Sequence, residues 1–462
     1  MNVLLIAIDT LRADHLSCYG YKRPTSPAID ALAGEGVQCQ NFMAAGIPTH
    51  PSFTTLFTGQ HPIRHGVVAH GSSAIIHNDT VTLPQLFLDR GYNTASFDNL
   101  AWHKNYFGRG FETIVDSSRR RGCSLMVTCE EINNRLLPFL KSNAGSKEPF
   151  FAFVHYWDPH TPYWAPSRYR SLFYTGDPCD KSKNSLAPLY EHPLGPRWQE
   201  TWFKTVLKET GRDPNKDITD ADYVTALYDQ EIRHVDDGVS DVLATLDETG
   251  LAENTLVVLI ADHGECMTEH GVMYDHHGLY AENVHVPLIA RLPGRIPAGR
   301  CVEQLIQHQD ILPTLCEAAD LKLPELSGDA AKDIPRVIDG KSAWGIMTSQ
   351  RGRENETLSD LYVAEECTWQ KKWVMRNGGF HFILARQEDW YRSPMRELYD
   401  LKTDPGQTHN IAAKHPEMAR ELESKLEGWI ADRAKACGRA RDPLFDTEVT
   451  LIDPKARRHV TT

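Results

Sequence analysis

Short apolar runs alternate with amphipathic stretches along most of this chain. Residues 3–8, 150–156 and 255–260 are nearly continuous in Val, Leu, Ile, Phe and Ala, without the in-out alternation of a half-solvated strand. Runs of this kind are predicted to be strands covered on both faces, as in a mostly parallel sheet flanked by helices. Between the second and third runs, Tyr228, Ile232, Val235, Val239, Val242 and Leu246 recur at three- and four-residue steps, which predicts a helix over 221–246. The fold class is therefore α/β. The first and third strands each run into an aspartate, Asp9 and Asp262. In such sheets ligands bind beyond the carboxyl ends of the strands, so these two ends are the first place to look for chemistry.

The pattern changes along the chain. Residues 164–220 are rich in Pro, Tyr, Trp and charge with weak periodicity, and are expected to be an irregular insertion near the site. Residues 322–360 read as a connecting excursion. Short strands are predicted at 361–365, 372–376 and 380–384, followed by a helix over 416–433. The expected organisation is a catalytic α/β domain over 1–360, a small α+β subdomain over 361–440, and a tail over 441–462. There is no internal repeat.

Composition narrows the function. Of 462 residues, 41% are hydrophobic and 24% charged, which excludes disordered and collagen-like classes. A net charge of −13 argues against a general nucleic-acid binder, and Arg119-Arg120-Arg121 reads as a solvated turn. No stretch reaches the length of a membrane span, and the N-terminus lacks a basic leader and cleavage site. The ten cysteines form no C-x-x-C pair, against a disulfide framework or zinc ribbon, so a cytoplasmic location is expected. No membrane partner is expected, and oligomeric state leaves no mark on the sequence.

Five segments carry candidate chemistry. Asp9 leaves a buried strand, where a carboxylate either caps the next helix or binds a metal. Asp262-His263-Gly264-Glu265 places a carboxylate and an imidazole at another strand end, a donor set for a metal ion. Thr49 lies in Pro48-Thr49-His50-Pro51-Ser52, ahead of an apolar helix. A threonine there is most often an N-cap, but a helix N-terminus also favours a tetrahedral anion, and a metal beside the hydroxyl would make it a nucleophile. Asp158-Pro159-His160-Thr161-Pro162-Tyr163 and Tyr274-Asp275-His276-His277-Gly278 complete the set.

Together these residues resemble the sulfatase-like branch of the alkaline phosphatase superfamily. Asp9-Thr10-Leu11-Arg12 is similar to that family's first metal segment, and Thr49-x-Pro51-Ser52 with Thr58-Gly59 to its nucleophile signature. Asp158-Pro159-His160, Asp262-His263-Gly264-Glu265, Leu279-Tyr280 and Glu397-Leu398-Tyr399-Asp400 also match, in family order. The resemblance implies an alkaline-phosphatase-like fold with one divalent ion on Asp9, Asp262 and His263, Thr49 as a nucleophilic ligand and Thr10 as a weaker one. Zn or Mn suits this mixed set better than Ca or Mg.

The departures carry information. Sulfatases oxidise a Cys or Ser at the nucleophile position to formylglycine; Thr49 would give only a poorly hydrating ketone. Threonine is the nucleophile of several phosphate-handling relatives. The signature Arg is Phe53, one family Lys corresponds to Asn99, and another to His276 or His277. Fewer fixed cations suit a singly charged ester. The expected activity is hydrolysis of a phosphodiester or phosphonate monoester, small or sugar-linked, through Thr49 and a phospho-enzyme, with His160, His276 or His277 and Asn99 near the reacting group. The alternatives are a sulfatase using unmodified threonine, a two-metal phosphomonoesterase with a second ion on Asp158, His160 and His277, and a non-catalytic binding domain.

Overall fold

A computed structural model describes residues 1–118, 127–191, 198–353, 355–389 and 391–449. The run Arg119-Arg120-Arg121 and the end of the expected tail lie outside them.

The three predicted apolar runs are the middle of the main sheet. The strands β1 (Asn2–Ile8), β2 (Val37–Met43), β3 (Gly46–Ile47), β4 (Asn93–Phe97), β5 (Thr113–Ile114), β6 (Phe150–Tyr156), β7 (Thr255–Ile260), β8 (Leu288–Arg291) and β9 (Arg300–Gln307) precede four more near the C-terminus. The eight-stranded sheet runs β5-β4-β6-β1-β7-β8-β2-β9. The block β5-β4-β6-β1-β7 is parallel, β8 is antiparallel to both neighbours, and β2 pairs with β9 in parallel. Every residue of β1, β6 and β7 is buried, which is why these strands read as continuous apolar runs rather than alternating ones. The predicted long helix spans Ala221–Glu248, and all six periodic positions named above are buried along its inner face.

The C-terminal strands β10 (Tyr362–Glu366), β11 (Lys372–Asn377) and β12 (Phe380–Ala385) fall within a residue of the predicted positions, and β13 (Arg396–Asp400) is a fourth strand that the pattern does not predict. They form a sheet ordered β13-β12-β11-β10-β3, antiparallel until β10 meets β3. The helix Pro416–Ala436 covers one face with Leu422, Leu426 and Ile430. The outermost strand β3 belongs to the N-terminal part of the chain and lies two residues before Thr49. The small sheet is therefore stitched to the segment that presents the candidate nucleophile.

Two expectations change in detail. The 164–220 insertion carries helical turns at Ala187–Glu191, Gln199–Phe203 and Lys204–Glu209. The start of the expected tail is docked: Leu444 is fully buried, and Asp442 accepts from Trp373 Nε1 at 2.8 Å and pairs with Arg386.

Candidate functional site

The adjacent strands β1 and β7 are in register, with Ala7 opposite Ile260, so Asp9 and Asp262 emerge side by side from the same edge. Both are fully buried. Asp262 Oδ1 accepts from the backbone N–H of Thr10 (3.2 Å) and of His263 (2.9 Å). Asp9 Oδ2 accepts from His155 Nε2 at 3.1 Å, and His155 is held on β6 beside it. His263 donates through Nδ1 to the Gly264 carbonyl (3.0 Å), so its Nε2 lone pair faces the carboxylates. That nitrogen is 3.2 Å from Asp262 Oδ2 and 3.9 Å from Asp9 Oδ1. Gly264 is required by close approach: a Cβ there would meet the Glu282 carbonyl oxygen at 2.0 Å.

The helix Thr49–Thr58 brings the hydroxyl. All ten residues are buried, and its inner threonines satisfy their hydroxyls on carbonyls one turn back: Thr54 on His50 (2.6 Å), Thr55 on Pro51 (2.9 Å) and Thr58 on Thr54 (2.6 Å). Thr49 stands at the open first position, with Oγ1 at 3.4 Å from His263 Nε2. Ser52, one turn on, donates to the Asp262 carbonyl (2.8 Å) and accepts from His308 Nδ1 (3.1 Å), bracing the β7 end against this helix. Phe53, at the position of the missing arginine, packs edge-on against His155 (4.7 Å) and Phe153 (5.7 Å). It supports the histidine that holds Asp9.

The donor atoms fit a cation. Asp9 Oδ1, Asp262 Oδ2 and Thr10 Oγ1 are buried without a hydrogen-bond partner, and Asp9, Asp262 and His263 offer ligand atoms within 4.8 Å of one another. Burial pushes the Asp262 carboxyl well up, and the neighbouring Asp9 pushes it further. Burial also works against ionised Asp9, but the His155 hydrogen bond and the nearby His160 and His263 bring it below its ordinary value. Burial depresses His263 to about 4, which leaves a neutral imidazole able to ligate. Two buried carboxylates this close cost free energy unless a cation or proton lies between them. Thr10 holds a left-handed φ of 54°, uncommon for a β-branched residue.

Thr49 opens onto a cavity of about 540 Å³. Its described lining contains five tryptophans (Trp157, Trp164, Trp198, Trp202, Trp369), five histidines (His70, His103, His160, His276, His277), Asp275, and no lysine or arginine. Trp164, Trp198 and Trp202 come from the 164–220 segment. Both histidines of the 276/277 pair line this cavity. His276 lies 4.8 Å ring to ring from His263 and 5.1 Å from His160, and burial followed by His263 pushes its pKa well below the ordinary value. His277 donates through Nδ1 to Glu366 (2.6 Å), stacks on Trp369 at 4.5 Å and has Nε2 3.6 Å from Asp275. Burial works against its charged form, but Asp275 and Glu366 outweigh that and raise its pKa.

Two predicted placements are not met. The second-ion grouping of Asp158, His160 and His277 does not form: His160 and His277 line the cavity, while Asp158 turns to the Cys129 backbone N–H (2.9 Å) and clusters with Glu231 and His234. Its position directly after β6 suggested the site, but the chain bends there and the carboxylate faces the long helix. Asn99 is buried just before the short helix Leu100–His103, with both amide atoms unpartnered, off the described lining. The sequence reading missed Glu366, Trp369 and His155. Asp275 and His276-His277 are adjacent in sequence, but Glu366 reaches them from β10, about ninety residues away, with no local signal.

Comparison with known proteins gives the fold and the cluster their class. The family described as sulfatase matches residues 1–321, and the C-terminal region of N-sulphoglucosamine sulphohydrolase matches 268–432. The uncharacterized sulfatase YidJ of Escherichia coli (strain K12) is 25% identical over 451 residues, covering 89% of this chain and 82% of its own. The N-acetylglucosamine-6-O-sulfatase of Bacteroides thetaiotaomicron is 22% identical over 495 residues, covering 92% and 85%. The phosphonate monoester hydrolase of Agrobacterium radiobacter superposes with a TM-score of 0.69 at 23% identity, covering 94% of this chain and 96% of that one. The architecture is that of the alkaline phosphatase superfamily. Within it, the chain belongs to the sulfatase family. It is accordingly an ester hydrolase of a metal-dependent family. No helix among the described residues is long and apolar enough to cross a membrane.

Proposed function

We propose that this protein hydrolyses a phosphoester with one negative charge, a phosphodiester or phosphonate monoester, with Thr49 as nucleophile. The observation that carries the reading is the Thr49 hydroxyl, 3.4 Å from His263 Nε2 beside Asp9 and Asp262, on a cavity whose described lining holds no lysine or arginine. A divalent ion on Asp9, Asp262 and His263, with Zn or Mn favoured by the donor set, would supply Lewis acidity that lowers the hydroxyl pKa. Thr49 gives up its hydroxyl proton to solvent, its Oγ1 attacks phosphorus, the phosphorus–oxygen bond to the leaving alcohol breaks, and the group stays on Thr49. His277, whose pKa Asp275 and Glu366 raise against its burial, gives its proton to the leaving oxygen. His160 and His276 face the transferring group. Water then attacks phosphorus and gives a proton to His277, the Thr49 oxygen–phosphorus bond breaks, and the Thr49 oxygen takes a proton back from solvent. The tryptophan-rich lining suits a sugar or aryl ring on the ester.

The nearest competing reading is a sulfate monoester, which also carries one charge, and the Escherichia coli and Bacteroides relatives bear sulfatase names. Threonine argues against it, because it cannot become the aldehyde that sulfatase chemistry uses. The test is a rate panel on metal-reconstituted protein: p-nitrophenyl esters of sulfate, phosphate and phenylphosphonate, and bis-p-nitrophenyl phosphate. Faster turnover of the diester or phosphonate supports the reading; faster sulfate turnover overturns it.

A further inference from the structure

The turn that follows β1 carries two of the cation donors, Asp9 and Thr10, in a strained backbone. Thr10 takes a left-handed φ of 54° although it is β-branched, a conformation that persists only where the surroundings hold it. The ladder of β1 ends at Ile8, paired with Tyr156 of β6. Beyond it, the Asp9 N–H donates to the Tyr156 carbonyl (2.9 Å) and the Thr10 N–H to Asp262 Oδ1 (3.2 Å). Two further backbone groups of the turn go to one side chain. Tyr228, on the helix Ala221–Glu248, donates its hydroxyl proton to the Thr10 carbonyl at 2.8 Å and accepts from the Arg12 N–H at 3.0 Å. Thr10, Arg12 and Tyr228 are all buried, so without that hydroxyl a carbonyl and an N–H would lose their partner out of reach of water. The ring has little freedom of its own. It packs edge-on against His15 (5.1 Å) and Tyr163 (5.2 Å), and His15 is bonded through Nδ1 to Asp229, the next residue of the helix, at 2.7 Å. On the far side the Arg12 guanidinium pairs with Asp14 (2.7 Å) and donates to the Glu265 carbonyl (3.1 Å) and to Glu269 (2.9 Å), which ties the turn to the segment after His263.

We infer that Tyr228 is a positioning residue for the cation: its hydroxyl clamps the left-handed turn between Thr10 and Arg12 and so sets where Asp9 and Thr10 present their oxygens. The inference rests on the reading that Asp9, Asp262 and His263 hold a divalent ion. Asp9 Oδ1 and Thr10 Oγ1 are buried without a hydrogen-bond partner, so their direction depends on the backbone that carries them. A turn released at Thr10 would relax out of the left-handed region and swing both side chains away from Asp262 and His263. Groups behind the ligands set metal affinity in this way. Tyr228 is absent from the described cavity lining, and it acts through the ligands without touching the reacting group. The polar contacts of the phenol go to the turn, which ordinary core packing of a helix residue does not require.

The experiment is zinc affinity, measured by competition with a chromophoric chelator on metal-free protein, in wild type, Tyr228→Phe and Asp262→Asn. Tyr228→Phe removes the hydroxyl and keeps the ring against His15 and Tyr163, and a wild-type-like circular dichroism spectrum would confirm that it folds. Zinc should bind Tyr228→Phe about 10-fold more weakly, with turnover returning toward wild type as zinc is raised, and binding should be lost in Asp262→Asn. A merely structural role would lower the melting temperature equally with and without zinc and leave the affinity unchanged. Wild-type affinity in folded Tyr228→Phe, with binding lost in Asp262→Asn, overturns the inference and leaves the cation reading standing. Wild-type affinity in Asp262→Asn overturns both. A measurement on the wild type needs no variant: hydrogen exchange resolved to single amides. The Arg12 N–H should be protected in the metal-free protein to the level of the β1 amides, because Tyr228 holds it. Protection that appears only after zinc is added overturns the inference.

Discussion

Two carboxylate–histidine clusters of nearly the same composition lie on either side of one segment of chain. Asp9, Asp262 and His263 sit at the carboxyl ends of two parallel strands and share their surroundings with the hydroxyl of Thr49 and an open cavity. Asp158, Glu231 and His234 gather at the long helix, where the backbone N–H groups of Cys129 and Trp164 donate to the two carboxylates. Donor type is nearly equal in the two; access and a nucleophile are not. The two donor sets thus differ in what the topology places beside them: strand ends facing a cavity in one case and the flank of a helix in the other.

The comparison can be broken most severely at Thr49. Thr49→Ala should lower turnover of the preferred ester by about 10³-fold or more while leaving metal content unchanged. Retained activity would remove the distinction between the clusters. Asp262→Asn should cost a comparable factor but through loss of one metal equivalent, so the two variants separate in metal analysis. A smaller effect is expected at the proton donor. His277→Gln should slow esters of poor leaving groups by about 10²-fold and nitrophenyl esters much less. Equal losses on both would show that His277 does not protonate the leaving oxygen. Because its pKa is raised, the acid arm of this step is present at low pH and is lost as pH rises through that value; Glu366→Gln should move the loss to lower pH.

The smallest effect concerns the joint between the two sheets. His61 bonds through Nε2 to the Val363 carbonyl on β10 at 3.0 Å, and burial depresses its pKa to about 4. A histidine with a lowered folded pKa contributes stability above its unfolded value of about 6.5 and loses it as pH falls toward 4. His61→Gln should flatten the urea midpoint between those pH values, and an unchanged slope would exclude this histidine as a source of acid sensitivity.

Much of this was legible in the sequence for a physical reason. Strands buried on both faces must be apolar throughout, so β1, β6 and β7 stood out, and the aspartates that end β1 and β7 marked the site. The long helix declared itself through its 3.6-residue period. The outer strands β2, β4, β8 and β9 are short or mixed in polarity and gave no such signal. Local sequence also could not say which way a side chain turns after a strand ends: Asp158 follows β6 just as Asp9 follows β1, yet faces the helix instead of the cavity. Nor could it show Glu366, whose bond to His277 depends on a sheet that borrows Gly46–Ile47 from the other end of the chain.

The central claim is that Thr49 takes the transferring group. Rapid-quench peptide mapping of the metal-reconstituted enzyme with p-nitrophenyl phenylphosphonate tests it directly. The account predicts a phenylphosphonyl adduct on the peptide containing Thr49, formed and lost at the rate of turnover and absent in Thr49→Ala. Turnover with Thr49 unmodified at every time point, and undiminished in Thr49→Ala, would contradict it.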